Sequence, residues 1–322
     1  MRRRRFLQSL VAGAGLAPLV FAGCAARPEP LRVGANLWPG YAPLRLATAH
    51  DGPAAEYGRV LDFPSTSMVL SAFRNGSIDA AALTLDEALL LAANGLEPRI
   101  VLVFDFSDGA DAIVTAPEIA RLESLRGRRI GVETEALGGY LVGRALEQAG
   151  LGLHEVDIVT VPVDRHEAAY AAREVDAVVT FEPVRSRLLA VGARELFSSR
   201  AIPGEIVDTL VVRDTLLRAR ERDLVALVRG HFEARAELLA DPFAAAQRLG
   251  GRAGMSPEAF SGALSLMQLP DVDGNRHLLG AGEGGLEPVL QRLQTTMQTL
   301  GQLTAGPAVR AMLAPTVVEA LG

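Results

Sequence analysis

The feature that most constrains the fold is an alternation of short apolar runs with amphipathic stretches of helical length. It begins near Leu31 and continues to Val212. The runs have the length of strands, and the intervening stretches repeat their apolar residues at helical spacing. Repeated strand–helix–strand units with short connections indicate parallel strands joined by right-handed crossovers. The sequence therefore predicts an α/β fold.

The alternation occurs twice and restarts after residues 111–115. The first set predicts strands at 31–36, 59–63, 78–83 and 99–104, and helices at 43–50, 65–74 and 84–93. The second set predicts strands at 128–132, 156–162 and 175–180, and helices at 137–149, 164–173 and 184–191. One more strand is predicted at 207–212. Two such sets predict two lobes, each built on a mainly parallel sheet flanked by helices.

Beyond Asp214 the sequence predicts helices only, at 215–239, 242–249, 257–266, 286–300 and 308–313. The polar, Gly-rich segment 271–285 is expected to be a mobile surface loop. A helical tail needs a sheet to cover, so strand 207–212 must return the chain to the first lobe. We therefore expect lobe 1 to comprise 31–109 and 208–322, and lobe 2 to comprise 110–207. Two crossings, near 106–111 and 205–208, would suit closure around a ligand.

The N-terminus has the layout of a secretory signal, predicted to span residues 1–23. A basic head at 2–5 precedes an apolar stretch at 10–22 that is too short for a good bilayer span. Arg3-Arg4-Arg5-Phe6-Leu7-Gln8 resembles a twin-arginine export pattern, and Phe21-Ala22-Gly23-Cys24 resembles a lipoprotein cleavage box. We expect an exported, periplasmic or cell-surface protein, lipidated at Cys24 and tethered by residues 24–30. The alternative is a plain secretory signal with an incidental cysteine.

Composition excludes several classes of chemistry. Cys24 is the only cysteine, so no intramolecular disulfide or thiolate metal cluster can form. The chain has no lysine, which excludes a Schiff-base nucleophile and a phosphate-loop lysine. Loss of residues 1–23 removes four arginines and no acid, so the formal net charge moves from −6 to −10. This charge disfavours nucleic acid or an anionic membrane surface as a partner. We expect no metal, no cofactor and no catalytic residue.

Three segments resemble the nitrate/sulfonate/taurine and thiamine-pyrimidine group of ABC-importer binding proteins. They are Val33-Gly34 through Trp38-Pro39-Gly40-Tyr41-Ala42-Pro43-Leu44, then Ser124-Leu125-Arg126-Gly127-Arg128-Arg129-Ile130-Gly131-Val132, and Val175-Asp176-Ala177 leading to Glu182-Pro183. The resemblance implies the type II periplasmic-binding-protein fold, with a helical C-terminal tail here. It also implies a monomeric solute-binding protein that delivers a small ligand to an ABC importer permease.

Candidate ligand residues follow from the rule that ligands bind beyond the carboxyl ends of parallel strands. The predicted set is Trp38, Tyr41, Ser65, Thr66, Thr84, Asp86, Phe106, Asp108, Glu135, Gly138, Gly139, Tyr140, Phe181, Glu182 and Asp208. With Asp105 and Asp111 nearby, the region is acidic, and the nearest bases are Arg45 and Arg144. Acidic acceptors and aromatic faces suit an amine-bearing, zwitterionic or N-heterocyclic ligand better than nitrate.

Each candidate also has a structural interpretation. Trp38 and Tyr41 hold the first loop on a core, and the serine and threonines serve as helix caps. The glutamates complement helix dipoles, and the Gly138-Gly139 pair permits close packing of a helix on a sheet. Two other functions remain open. One is a ligand-sensing module for a membrane receptor, and the other is an enzyme on the same fold, although no H-E-x-x-H or G-x-S-x-G motif is present.

Overall fold

The computed structural model describes residues 28–134 and 137–322 and contains two β-sheets. The signal segment, Cys24 and most of the tether lie outside the described residues. The strands are β1 Leu31–Ala35, β2 Gly58–Asp62, β3 Ala80–Thr84, β4 Pro98–Ser107, β5 Asp111–Thr115, β6 Arg129–Val132, β7 Asp157–Thr160, β8 Ala177–Phe181, β9 Arg194–Ser198, β10 Val207–Arg213 and β11 Met267–Gln268.

The first sheet has the strand order β11-β4-β10-β3-β1-β2. Strands β1, β2 and β3 pair in parallel, as the sequence predicts for units linked by helices. Strand β10 lies between β3 and β4 and is antiparallel to both. β1, β3 and β10 consist almost entirely of buried residues, which is typical of strands covered on both faces.

The second sheet has the strand order β7-β6-β8-β5-β9. Strands β6, β7 and β8 are parallel, and β5 is antiparallel to both of its neighbours, β8 and β9. Each sheet is therefore mainly parallel but holds a reversed strand in its interior, β10 in the first sheet and β5 in the second. Both reversed strands directly follow a passage of the chain from one sheet to the other, at residues 108–110 and 199–206.

Helices cover both sheets. They are α1 Ala42–Ala47, α2 Thr66–Arg74, α3 Leu85–Ala93, α4 Leu137–Ala149, α5 His166–Ala171, α6 Val184–Ala190, α7 Asp214–Ala240, α8 Pro242–Leu249, α9 Pro257–Leu264, α10 Val272–Leu279, α11 Leu286–Thr299, α12 Val309–Met312 and α13 Thr316–Glu319. Short 3-10 turns connect several elements, among them Pro39–Tyr41 before α1 and Val163–Arg165 before α5.

Two of the predicted helix starts are confirmed by their caps. Ser65 accepts a hydrogen bond from the amide of Met68 at the start of α2, and Ser256 accepts one from Ala259 at the start of α9. Thr84 precedes α3, and its amide donates to Glu87 Oε2 over 2.9 Å, which is one of the two bonds of a capping box; the Thr84 hydroxyl has no partner.

The segment 271–285 differs from the prediction of a mobile loop. Its first part forms α10, which begins at an Asp271 cap that accepts from the Gly274 amide. Asn275, fully buried, joins α10 to β4 through hydrogen bonds with the backbone of Val103. The polar composition concealed a helix because Asp271 serves as its cap and Asn275 forms hydrogen bonds with a strand. Strands β9 and β11 were also not predicted, since β9 begins with the polar, incompletely buried Arg194 and Glu195 and β11 has only two residues.

The C-terminal region contacts the first sheet and also a helix that covers the second sheet. Ala314 donates a backbone hydrogen bond to Ile100 of β4 in the first sheet. At the end of α11, Leu300 packs so closely on α4 that a methyl group on Gly143 would lie 2.4 Å from it. The tail therefore covers the first sheet and also touches the second lobe.

The predicted fold class is confirmed: two mainly parallel sheets flanked by helices, followed by a helical tail. Within the described ranges no helix combines the length and the apolarity that a membrane span needs.

Candidate functional site

A cavity of about 30 Å³ lies between the two sheets. Its lining residues are Asn36, Trp38, Tyr41, Thr66, Thr84, Glu87, Asp111, Glu133, Leu137, Gly138, Leu141, His166, Val179, Thr180, Phe181 and Asp208. This volume holds about one to three water molecules, far less than a typical small-ligand site. The cavity in this structure is therefore smaller than a typical small ligand.

The first-sheet face of the cavity is organised by strand register. Asp208, near the start of β10, pairs with Thr84 at the end of β3 on one side and with Asp105 of β4 on the other. Tyr41 donates its hydroxyl hydrogen to Asp208 Oδ1, and Trp38 Nε1 donates to Asp105 Oδ2 over 3.1 Å. The turn before α1 thus fixes both aromatic rings on carboxylates of neighbouring strands.

Gly40 permits this close approach. A methyl group at this position would lie 1.9 Å from Asp105 Oδ2 and 2.5 Å from Trp38 Nε1. Because neither contact is sterically allowed, any side chain here would separate the indole from its carboxylate.

The second-sheet face presents acceptor atoms without partners. Asp111 Oδ2, Glu133 Oε2 and Thr180 Oγ1 are buried and have no hydrogen-bond partner. His166 adds a fourth atom: its Nε2 lies 3.0 Å from the Val161 carbonyl oxygen, whereas its Nδ1 is unpaired. Since a carbonyl only accepts, Nε2 must carry the hydrogen, and Nδ1 is left as an acceptor.

Two hydrogen bonds cross the cleft in opposite directions. Glu133, just after β6, accepts from the Ser67 amide in the first turn of α2 over 2.9 Å. Glu87 of α3 accepts from the Leu137 amide at the start of α4 over 3.1 Å. Each side therefore supplies a carboxylate to a helix N-terminus of the other, where free amides and the helix dipole favour negative charge.

Burial raises the pKa of most carboxyl groups around the cavity. It raises the pKa of Asp111 to about 7, with nearby Asp86 and Glu182 adding to the effect. The pKa values of Glu87, Asp105 and Asp208 also lie above the ordinary range, chiefly through burial and then through neighbouring carboxylates. Burial lowers the pKa of His166 to about 4, so its ring is neutral at higher pH.

No basic side chain offsets these acids among the residues that line the cavity in the described part of the chain. Arg45 donates to the Asn36 carbonyl oxygen over 2.6 Å and pairs with Asp62. Arg144 is bound to Glu205 over 2.8 Å. The described residues hold no group of three or more His, Cys, Asp or Glu side chains arranged to bind a metal ion.

Seven of the fifteen predicted residues line the cavity: Trp38, Tyr41, Thr66, Thr84, Gly138, Phe181 and Asp208. Glu135 lies outside the described residues. The remaining seven lie elsewhere: Ser65, Asp86, Phe106, Asp108, Gly139, Tyr140 and Glu182.

The positions of these seven have local causes. Glu182 is fully buried and bonded to Arg185 and Ser186 over 2.8 Å each. Tyr140 donates to Glu205 over 2.5 Å. Asp108 accepts from Gln268 at 3.3 Å.

The other four are held by caps, packing or a separate cavity. Ser65 caps α2. Asp86 lines a different cavity, against the tail. Phe106 packs on the core. A methyl group on Gly139 would lie 2.9 Å from Gln302.

Sequence reasoning missed several lining residues, and two carried a usable signal. Asn36 directly follows β1 and Glu133 directly follows β6, so both obey the carboxyl-end rule. Asp111 was placed only in the acidic neighbourhood, because it begins a strand whose reversed direction brings its amino end to the cleft. His166 carried no such signal, since it starts a helix behind a short turn.

The comparisons with known proteins agree with this architecture. A sequence profile of the NMT1-like family matches residues 25–249. The alkanesulfonate-binding protein SsuA of Xanthomonas axonopodis pv. citri, solved with bound MOPS, is 20% identical with a TM-score of 0.72, over 90% of this chain and 98% of that one.

Two further structures share the fold. The periplasmic nitrate-binding protein NrtA of Synechocystis PCC 6803 is 12% identical with a TM-score of 0.74, over 91% of this chain and 88% of that one. The desulfurization enzyme DSZB is 18% identical with a TM-score of 0.64, over 91% of this chain and 99% of that one. No curated protein sequence matches the chain.

Proposed function

The chain belongs to the NMT1-like family, and on that basis we propose that it is an extracytoplasmic solute-binding protein that delivers a small ligand to the permease of an ABC importer. The single observation that carries the proposal is the cavity with buried carboxylates between two sheets that are joined twice. Residues 31–109 with 208–322 form one lobe of the proposed binding unit, and residues 110–207 form the other. The ligand enters the opened cleft, and the two lobes close on it. The protein acts as a monomer.

The ligand proposed for this cleft bears an amine or another N–H-rich nitrogen group. Asp111 Oδ2, Glu133 Oε2 and His166 Nδ1 are acceptors without partners, and buried acceptors are costly unless a donor reaches them. An ammonium or a protonated heterocycle offers several donors and a positive charge to offset the acids. Trp38 and Phe181 add aromatic faces that attract a cation. Nitrate, which only accepts, would leave all three atoms unpaired.

The experiment that tests this proposal starts from protein purified without denaturation. Mass spectrometry of small molecules that co-purify identifies the class of ligand, and calorimetric titration against amines, pyrimidines, sulfonates and nitrate ranks them. We expect binding of amines or N-heterocycles with heat release. Tight binding of nitrate with no response to amines would contradict the ligand assignment.

We propose that the cleft binds its ligand without transforming it. The relatives named as binding proteins support this view, although DSZB shows that the fold also serves an enzyme. The chain has no lysine, and its only cysteine, Cys24, lies in the signal region. Recovery of the bound ligand unchanged after prolonged incubation, checked by mass spectrometry, is the expected result.

Export and anchoring complete the proposal. We propose removal of residues 1–23, twin-arginine export and lipidation of Cys24, supported by the basic head, the apolar stretch and the solitary cysteine. Cys24→Ser should release soluble protein or leave an unprocessed precursor, measured by membrane fractionation and intact-mass analysis. Unchanged membrane association and processing would contradict the anchor.

A further inference from the structure

A groove of about 470 Å³ lies beside the cavity and also between the two lobes. Its floor is apolar and consists of Leu37, Phe63, Val163, Phe181, Pro183 and Val184. The acids and bases on its rim include Arg187, which pairs with Glu167 over 2.9 Å, and Asp62, which pairs with Arg45. The groove has the volume of a small-molecule site, and the cavity by itself does not.

Phe181 joins the groove to the cavity because it lines both. Its ring packs edge-to-face on Trp38, which lines the cavity, with the centroids 5.8 Å apart, so the two rings meet where the spaces adjoin. In the sheet, Phe181 is the direct partner of Asp111 across strands β8 and β5. A group bound at Asp111 Oδ2 therefore lies next to the wall of the groove.

From this continuity we propose that the ligand is an amphiphilic cation whose nitrogen head binds the cavity acceptors and whose apolar body lies in the groove. This inference rests on the proposed function and narrows its ligand class. Parting of the Trp38 and Phe181 rings as the lobes open admits the ligand, and their return clamps it where head and body meet.

The same geometry disfavours a zwitterionic ligand with a carboxylate or sulfonate. Among the described cavity-lining residues none is basic, and Asp111 and Glu133 would repel an anion placed beside them. Of the two arginines that line the groove, Arg187 already has Glu167 as a partner, and Arg252 is exposed to solvent, where pairing with a carboxylate or sulfonate contributes little. The charge pattern therefore favours a ligand with a single positive end over one that carries both signs.

The test is a calorimetric series with unbranched alkylamines from ethylamine to hexylamine, with 6-aminohexanoate and hexanesulfonate as charge-altered counterparts. We expect affinity to rise about fourfold for each added methylene, because each buries a comparable apolar area. 6-Aminohexanoate should bind at least about tenfold more weakly than hexylamine. Both results come from wild-type protein and need no variant.

A matched pair of variants locates the effect. Leu37→Gln in the groove should lower affinity for hexylamine more than for ethylamine. Leu153→Gln, at a partly exposed leucine outside the groove, should change neither. Amines that bind with no dependence on chain length would overturn the amphiphile inference and leave the proposed function standing. If hexanesulfonate bound and none of the amines did, both the amphiphile inference and the amine ligand of the proposed function would be wrong.

Discussion

The two faces of the cleft differ in how their carboxylates are occupied. On the first-sheet face, Glu87 accepts from two amides, and Asp208 accepts from the Tyr41 hydroxyl. On the second-sheet face, Asp111 and Glu133 each retain one buried oxygen without a partner. Both faces are acidic, but of the carboxylates that line the cavity only those of the second face retain a buried oxygen without a partner, since Asp105 Oδ1 on the first face is unpaired but lies outside the lining.

This difference teaches that acidity alone does not identify a binding residue. Carboxylates of the first-sheet face hold the aromatic turn and α4 in place, so they shape the cavity. The free oxygens of the second-sheet face carry an unmet hydrogen-bonding demand, which a ligand would meet. We therefore expect the carboxylates of the second-sheet face to determine ligand affinity and those of the first-sheet face to determine the shape of the cavity.

The largest effect should come from removal of a free oxygen on the second face. Asp111→Asn should lower the affinity for an amine ligand about ten- to a hundredfold, since a charge-assisted bond contributes roughly 1.5–3 kcal/mol. Asp208→Asn should cost less than about fivefold, because the Tyr41 hydroxyl already occupies its Oδ1. Calorimetric titration measures both.

Asp176→Asn is the matched control, since this carboxylate is bound to Arg129 over 3.0 Å and lies outside the cavity lining. It should leave affinity within about twofold of wild type. Equal losses for Asp111→Asn and Asp208→Asn would remove the distinction between the faces.

The geometry of the first face can be broken at Gly40. Gly40→Ala places a methyl group against Asp105 and Trp38, and overpacking of this kind costs about 1–3 kcal/mol of unfolding free energy. Gly262→Ala, in the exposed part of α9 with no atom within 4 Å, should be neutral or stabilise by up to about 1 kcal/mol. Urea denaturation of both variants provides the comparison, and two equal curves would show that Gly40 has no special role.

Asp111 should make stability and ligand affinity change in opposite directions as the pH rises. With a pKa of about 7 in the folded protein and about 3.9 in the unfolded chain, Asp111 keeps a proton between these values only when folded. Its contribution to stability is therefore fully present below about pH 4 and is lost as the pH rises from about 4 to 7. Binding of a cation needs the deprotonated form, so affinity should increase about tenfold between pH 6 and pH 8.

Denaturation curves of the ligand-free protein and calorimetry in buffers of different ionisation enthalpy measure these two trends. Binding should release protons, and Asp111→Asn should reduce that release. Proton uptake on binding would indicate an anionic ligand instead.

The smallest effect concerns the bonds that cross the cleft. Glu133→Ala removes the acceptor for the Ser67 amide and should lower the closed-to-open ratio about fivefold, which corresponds to roughly 1 kcal/mol. Glu133→Gln keeps an acceptor and should lie between the alanine variant and wild type. Small-angle scattering of ligand-free protein should give the larger radius of gyration for Glu133→Ala. Identical dimensions for all three would show that this bond does not hold the lobes.

The fold was largely predictable because its strands are short apolar runs and its helices carry caps. Periodicity places β1, α2, α4 and β8 within two residues of their observed bounds. It does not predict strand direction, and so the reversal of β5 and β10 appeared only in the structure. α10 was missed because its cap and its buried asparagine look like loop residues in the sequence.

The candidate site was half predictable for a related reason. Residues at the carboxyl ends of parallel strands, such as Thr84 and Phe181, follow from topology alone. Whether a side chain there faces the cavity depends on its partners, which sequence does not reveal. Glu182 and Tyr140 have the expected types and positions, but Arg185 and Glu205 hold them away from it.

The reversed strands have a mechanical consequence. Asp111 comes directly after the passage at 108–110, and Asp208 comes two residues after the passage at 199–206. In the proposed closing motion, both carboxylates therefore lie beside the passages about which the two lobes would turn. When two lobes turn about a hinge, residues beside the hinge move little and residues far from it move much. A movement of these residues by less than the length of a hydrogen bond would therefore become a large movement of the outer rims of the lobes. Those rims are the surfaces that a membrane partner would contact.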